Sequence, residues 1–101
     1  MRTLRIKHFI IIPCDKGYIV HNTKHHFDDA HTHIKNHGYC KRLIYNVLYK
    51  RKPKTKNLYL LESHRRIADD NKYIQLIDDI EAKVREGKEK FVNVNRGPRR
   101  G

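Results

Sequence analysis

The chain of 101 residues has no tryptophan, a single methionine and no apolar run long enough to cross a membrane. A membrane-spanning helix needs about 18 or more consecutive apolar residues. Near the N-terminus, the apolar run of residues 9–12 ends at Pro13, whereas a secretory leader needs roughly seven apolar residues or more. We therefore expect a cytoplasmic protein with no membrane contact.

Cysteine is also scarce, since only Cys14 and Cys40 are present. Two cysteines in a cytoplasmic chain are most simply free thiols, and a Cys14–Cys40 disulfide is the less expected alternative. The sequence contains neither a CxxC nor an HExxH motif, and these spacings identify metal sites most clearly. No motif in the chain names an activity outright.

Acidic residues are few, and the formal net charge is +12. Residues 41–57 contain seven lysines and arginines and no acid. A compact domain with this charge attracts acidic partners, of which nucleic acid is the commonest. The residues predicted to contact phosphates are Lys41, Arg42, Lys50, Arg51, Lys52, Lys54, Lys56, Arg96, Arg99 and Arg100.

Four tyrosines are interleaved with these charges: Tyr39, Tyr45, Tyr49 and Tyr59. Exposed tyrosines beside basic residues are typical of surfaces that stack on unpaired bases. The alternative is that the rings pack against neighbouring elements and only the hydroxyls face solvent. This pattern of charges and tyrosines does not distinguish DNA from RNA as the partner.

Two apolar runs on either side of residues 13–17 predict an N-terminal β-hairpin over residues 6–21. Asp15 suits the turn, and Gly17 can adopt a positive φ. The next predicted element is an amphipathic helix that Pro53 ends. Its apolar positions are Cys40, Leu43, Ile44, Val47 and Leu48.

Residues 58–61 are a continuous apolar run that fits either a buried strand or a short helix. In the clearest helix, Asp69 or Asp70 is the N-cap, and Gly87 is the predicted end. Its apolar face consists of Tyr73, Ile74, Ile77, Ile80 and Val84. Residues 91–94 then predict a short strand.

This order of elements predicts an α+β fold: an N-terminal β-hairpin and a short antiparallel sheet with two helices packed on one face. Residues 1–94 are expected to form a single small domain. Residues 95–101 contain three arginines and are expected to form a flexible basic tail.

Seven of the eight histidines precede residue 38, and three of them lie in HTHIKNHGYC at residues 31–40. A zinc site needs about four nitrogen or sulfur ligands in a tetrahedron. If the helix began within this stretch, several of these side chains would share one face, although Gly38 argues against a helix there. The candidate zinc ligands are His33, His37, Cys40 and Cys14. The expectation is nevertheless no cofactor, with histidines along one edge of the fold that strengthen polyanion binding when mild acidification charges them.

Three hydrolytic patterns are present only in part. His21-Asn22-Thr23 fits the H-x-T element of two-histidine phosphoesterases, which require a second such element. His31-Thr32-His33 is similar to the paired histidines of strand-nicking endonucleases, except that those enclose a bulky apolar residue. Asp28, Asp29 and Asn36 fit an HNH-type nuclease only loosely. We predict no catalytic residue and no enzymatic activity.

Two stretches of the chain resemble small uncharacterised proteins carried by bacteriophages and mobile elements of Gram-positive bacteria. They are YIVHNTKHHFDDAHTHIKNHGYCKRLIYNVLYKRKP and YLLESHRRIADDNKYIQLI, and the resemblance covers about residues 8 to 80. It implies a small accessory protein that acts on host or defence machinery. No catalytic residue carries over from it, because none is assigned in that family.

The leading functional hypothesis is a non-enzymatic nucleic-acid-binding accessory protein whose basic helix and loop contact phosphates. One alternative is a phage-type inhibitor or regulator whose basic face binds an acidic surface of a host protein or nucleoprotein complex. A second alternative is a small metal-dependent nuclease built on the histidines. Exposed edge strands in so small a sheet also allow a homodimer.

Overall fold

In the part of the chain that the structure describes, four β-strands are followed by three α-helices. The computed structural model describes the backbone of residues 2–96 and the side chains of residues 2–87. The strands are β1 (Leu4–Ile6), β2 (Phe9–Cys14), β3 (Gly17–Asn22) and β4 (His31–Ile34), and the helices are α1 (His37–Leu48), α2 (Leu58–Ile67) and α3 (Asn71–Arg96). The strands form one antiparallel sheet in the order β1-β2-β3-β4. The predicted α+β class and N-terminal hairpin are confirmed.

The hairpin of β2 and β3 closes at Cys14 and Gly17, with a two-residue turn between them. Gly17 has a φ of +140°, which L-residues with a side chain rarely adopt. A Cβ atom at this position would also lie 2.8 Å from the carbonyl oxygen of Ile34. The hairpin end therefore approaches the end of β4 closely, and only glycine fits there.

The histidine-rich segment at residues 31–34 forms strand β4. The helix that the zinc hypothesis assumed within residues 31–40 begins at His37. Strand β4 pairs with β3, with His31 opposite His21 and Ile34 opposite Tyr18. Burial alternates along the strand, since Thr32 and Ile34 are buried and His33 is exposed. Two β-branched residues facing the core at a spacing of two favour a strand, and this signal outweighed the histidine spacing.

One face of the sheet is buried and carries Phe9, Ile11, Val20, Asn22, Thr32 and Ile34. Helices α1 and α2 both contact β3 and β4 on that side, and α3 packs against α2. Two helices cover this face of the sheet, as predicted, but the second is α2, which the sequence left ambiguous. The helix predicted after Asp69 or Asp70 is α3, and it packs against α2. The helices contribute Leu43, Ile44, Leu61, Ile67 and Ile77 to the core, all fully buried.

The ambiguous run at residues 58–61 begins helix α2. The side-chain oxygen of Asn57 accepts hydrogen bonds from the backbone N–H groups of Tyr59 and Leu60, at 2.9 and 3.2 Å. Such a cap satisfies donors that a helix N-terminus otherwise leaves unpaired. The helical interpretation is therefore correct for this segment, and the strand interpretation is wrong.

Helix α3 continues through Gly87 to Arg96. The predictions that Gly87 ends this helix and that residues 91–94 form a strand are therefore wrong. One glycine inside a helix costs about 1 kcal/mol relative to alanine, and the lysines and glutamates around it are good helix formers that offset this cost. The predicted tail of residues 95–101 lies almost wholly outside the described residues. In the part of the chain that is described, no helix is both long and apolar enough to cross a membrane.

Candidate nucleic-acid interface

Of the ten basic residues predicted to contact phosphates, the seven at residues 41–57 lie on α1 and on the loop that joins α1 to α2. All seven of those between residues 41 and 57 are exposed. Pro53 is buried within the loop, and the hydroxyl of Tyr73 donates a 2.7 Å hydrogen bond to the carbonyl oxygen of Arg51. These contacts fix the loop against α3. The side chains of Arg96, Arg99 and Arg100 lie outside the described residues.

Two of these basic residues also make contacts within the protein. The ammonium group of Lys50 lies 3.0 Å from a carboxylate oxygen of Asp70, and this hydrogen bond lowers the pKa of Asp70 below its usual value. The guanidinium carbon of Arg51 lies 5.3 Å from the centre of the Tyr49 ring, within the range of a cation–π contact. Lys50 and Arg51 are therefore less available to an external phosphate than their neighbours.

A cleft of about 790 Å³ opens beside the first turn of α1. We call it the tyrosine cleft, because Tyr18, Tyr39 and Tyr59 line it. The basic residues in its wall are Lys16, Lys35 and Arg42. Of these three, only Arg42 was predicted from the sequence. Lys16 and Lys35 were missed because each stands alone in the sequence, outside the basic run at residues 41–57.

Four separate segments bring these side chains together. The hairpin turn supplies Lys16, the residue after β4 is Lys35, α1 supplies Arg42, and the first turn of α2 supplies Tyr59. The Tyr59 hydroxyl donates a 2.6 Å hydrogen bond to the carbonyl oxygen of His33. This bond connects α2 to β4 and fixes one wall of the tyrosine cleft.

The tyrosine cleft has a positive electrostatic character from its backbone as well as its side chains. Its lining includes Asn36 and Asn57, which are the N-cap residues of α1 and α2. Neither helix has an acidic residue in its first turn, and none of the lining residues is acidic. Helix N-termini carry a partial positive charge, so both helices add to the attraction for an anion.

A second concave surface, which we call the lysine groove, lies between the basic loop and α3. It has a volume of about 880 Å³ and is bordered by Lys52, Lys54, Lys56 and Lys83. Its apolar lining comes from Leu76, Ile80 and Val84 of α3. The groove and the tyrosine cleft meet at the end of the loop, because Lys56 borders the first and Asn57 borders the second.

The four candidate zinc ligands are not brought together as a set, although Cys14 and His33 both line the tyrosine cleft. Cys40 is fully buried in the core, and burial raises the pKa of its thiol to about 11, which disfavours the thiolate that metals bind. His33 lies on a strand, so it does not share a helix face with His37. Among the described residues, no group of three or more metal-ligating side chains is close enough to hold an ion. Cys14 and Cys40 are free thiols, so the disulfide alternative is wrong.

Two histidines and a buried asparagine instead converge on Asp69, which the sequence did not single out for this role. The Nε2 atoms of His8 and His25 donate to its carboxylate at 2.7 and 2.8 Å. The buried Asn22 donates from Nδ2 to Asp69 at 2.7 Å and to the carbonyl oxygen of Ile67 at 2.9 Å. Partial burial raises the pKa of Asp69, but these hydrogen bonds outweigh it and lower the pKa overall.

The residues of two of the partial hydrolytic patterns make structural contacts within the protein. In His21-Asn22-Thr23, the hydroxyl of Thr23 donates to the carbonyl oxygen of His8 at 2.7 Å. In His31-Thr32-His33, the ring of His31 stacks on Phe27 with centroids 4.2 Å apart. The hydroxyls of Thr32 and Ser63 share a buried hydrogen bond of 2.7 Å. These contacts tie the sheet to its neighbouring segments.

Comparisons with known proteins add no functional information. No family model, no curated protein and no solved structure matches the chain. The functional argument therefore rests on the residues and geometry of this chain.

Proposed function

We propose that this protein is a non-enzymatic nucleic-acid-binding protein that contacts backbone phosphates through the tyrosine cleft and the basic loop at residues 50–56. The observation that carries the proposal is the tyrosine cleft itself. Three basic side chains and two helix N-termini meet there, and no carboxylate is present in the lining. Such a concave cationic surface concentrates polyanions.

None of the residues that line the tyrosine cleft is acidic, and two acidic residues of α2 and α3 contact neighbours of their own. Asp78 forms a 2.8 Å ion pair with Arg65, and Glu62 lies 3.7 Å from Arg66 on the same helix. Beside the basic loop, Asp70 pairs with Lys50 and Asp79 lines the lysine groove, so these acids partly offset the charge of the loop and not that of the tyrosine cleft.

The salt dependence of binding tests this proposal. Lysine and arginine displace condensed counterions, so the logarithm of affinity falls with the logarithm of salt concentration by about 0.7 per phosphate contact on a single strand. In fluorescence anisotropy titrations, the double variant Lys35→Gln/Arg42→Gln is expected to bind more weakly than the wild type. Its salt slope should be smaller by roughly 1.4, which corresponds to two lost contacts.

A matched control keeps the same net charge. The double variant Lys24→Gln/Lys72→Gln also removes two exposed lysines, but neither of them lines the tyrosine cleft or the lysine groove. It should retain the wild-type salt slope. Weak binding with little salt dependence in the wild type, or equal losses in both double variants, would contradict the proposal.

The lysine groove supports a second candidate function, that of a phage-type inhibitor or regulator that binds an acidic protein surface. Its three apolar side chains lie beside four lysines and one acid, Asp79. The excess of positive charge fits a partner with an apolar centre and an acidic rim, and protein interfaces commonly have an apolar centre with a polar rim. Poly-L-glutamate provides a peptide probe. Binding to poly-L-glutamate with no binding to oligonucleotides would favour this candidate over the first.

A further inference from the structure

The tyrosine cleft has the size and the lining of a site for one small ligand. Its volume of about 790 Å³ lies within the range of roughly 300–1,000 Å³ that is usual for small-molecule sites. Its wall combines aromatic rings with positive charge. A nucleotide combines the complementary parts, namely a flat base with two π faces and an anionic phosphate.

Tyr59 is suited to stack against a base. The residue is 55% exposed, yet its hydroxyl is held by the carbonyl oxygen of His33. A ring fixed in this way loses little further conformational entropy when a base stacks on it. Base–aromatic stacking is tolerant of base identity, because every base has a π face.

Donors for the phosphate lie beside this ring. Asn36 and Asn57 both use their side-chain oxygens to cap helices, and neither Nδ2 group has a hydrogen-bond partner among the side chains described. Together with Lys16, Lys35 and Arg42 they surround the tyrosine cleft with hydrogen-bond donors. Charge-assisted hydrogen bonds to phosphate oxygens are among the strongest polar contacts in proteins.

The concave shape of the tyrosine cleft selects against a duplex. A paired base is covered on both faces by its neighbours and on its edge by its partner, so it enters a pocket only after it leaves the stack, which costs free energy. An unpaired base has no such cost. Recognition of splayed, single-stranded bases by aromatic side chains is the common mode in single-strand-binding proteins.

We infer that the tyrosine cleft binds one unpaired nucleotide of a single-stranded nucleic acid, with the base against Tyr59 and the phosphate among the cations and the two asparagine amides. The inference rests on the proposed nucleic-acid-binding function and gives it a substrate class. The adjoining basic loop then contacts the next phosphates of the same strand.

The experiment uses the full chain and three labelled probes of equal phosphate number: an oligothymidylate of about 12 nucleotides, the corresponding abasic oligomer and a hairpin duplex. The abasic oligomer keeps the phosphates and removes the bases. The variants are Tyr59→Leu, Tyr59→Phe and, as a control, Phe27→Leu. Phe27 is also an exposed aromatic residue, at 39%, but it lies outside the basic loop and does not line the tyrosine cleft.

The oligothymidylate is expected to bind more tightly than the abasic oligomer or the hairpin. Tyr59→Leu should weaken oligothymidylate binding roughly five- to a hundredfold and leave abasic binding unchanged. Tyr59→Phe keeps the ring and should retain most of the affinity, and Phe27→Leu should match the wild type. Circular dichroism melts check that each variant is folded. Repeating the titration with oligouridylate compares RNA with DNA.

Two different failures are distinguishable. Binding to all three probes with equal affinity, or equal effects of Tyr59→Leu and Phe27→Leu, would overturn the inference and leave the proposed function intact. No binding to any probe would overturn the proposed function and the inference with it.

Discussion

At the scale of single residues, Asp69 connects parts of the protein that are far apart in sequence. Its carboxylate accepts hydrogen bonds from His8 near the start of the sheet, from Asn22 at the end of β3 and from His25 in the loop that follows. The residue itself lies between α2 and α3. One acidic side chain therefore anchors the histidine-rich edge to the helices.

This arrangement predicts how stability changes in acid. The pKa of Asp69 is lower in the folded protein than its ordinary value of 3.8, so the unfolded state binds the proton more readily. The stabilisation from Asp69 is complete above this ordinary pKa and is lost as the pH falls through the folded pKa. In chemical denaturation at a series of acidic pH values, Asp69→Asn should lose less stability with falling pH than the wild type.

Two features of that experiment isolate Asp69. Asp70, whose pKa is lowered by Lys50, is present in both proteins and cancels in the comparison. Asp28→Asn serves as the control. Asp28 is exposed and lies on the short 3-10 helix Phe27–Asp29, which precedes β4. If Asp69→Asn and the wild type lost stability in parallel, the hydrogen bonds to Asp69 would have no net effect on its protonation.

At the scale of secondary-structure elements, two glycines are expected to respond in opposite ways to replacement by alanine. Gly17 has a positive φ and meets Ile34 across the junction of the hairpin and β4, so Gly17→Ala should lower the free energy of unfolding by roughly 1–3 kcal/mol. Gly87 lies in α3 with nothing within 4 Å of an added Cβ. Gly87→Ala should raise it by up to about 1 kcal/mol.

Urea denaturation of the two alanine variants measures both changes, and each variant is the control for the other. A destabilising Gly87→Ala would show that α3 does not continue as a regular helix through this position. A neutral Gly17→Ala would show that the hairpin end does not approach β4 as closely as the structure indicates.

Elements with strong periodicity were predictable, and those whose identity depends on their neighbours were not. The hairpin and α1 follow from apolar spacing and turn residues in the sequence. The run at residues 58–61 is compatible with either state, and its helix is decided by the cap at Asn57. β4 was misread because histidine spacing suggested ligands, whereas the buried Thr32 and Ile34 determine the strand.

At the scale of the whole molecule, the tyrosine cleft could not be predicted from the sequence. Its cations come from three segments, and Lys16 and Lys35 become neighbours of Arg42 only when the hairpin turn reaches the start of α1. The basic run at residues 41–57 predicted the correct region of charge. It did not predict a concave site, because concavity is a property of how the sheet and helices pack.

The whole-molecule charge predicts stronger binding to nucleic acid on mild acidification. Histidines that gain a proton add positive charge, and His33 lines the tyrosine cleft. His64 does not contribute, since burial lowers its pKa and keeps it neutral. Oligonucleotide affinity should rise between about pH 7.5 and about pH 6. Constant affinity of the wild type across this pH range would remove the histidines from the binding surface.

The four segments that wall the tyrosine cleft have a thermodynamic consequence. Lys16, Lys35, Arg42 and Tyr59 are neighbours only in the native chain, so the unfolded polypeptide offers a ligand no equivalent site. A ligand that occupies the cleft binds the native state alone and therefore stabilises it by mass action. Once the ligand concentration exceeds the dissociation constant, the free energy of unfolding rises with the logarithm of their ratio. The fraction of folded protein therefore rises with the concentration of any ligand that occupies the tyrosine cleft.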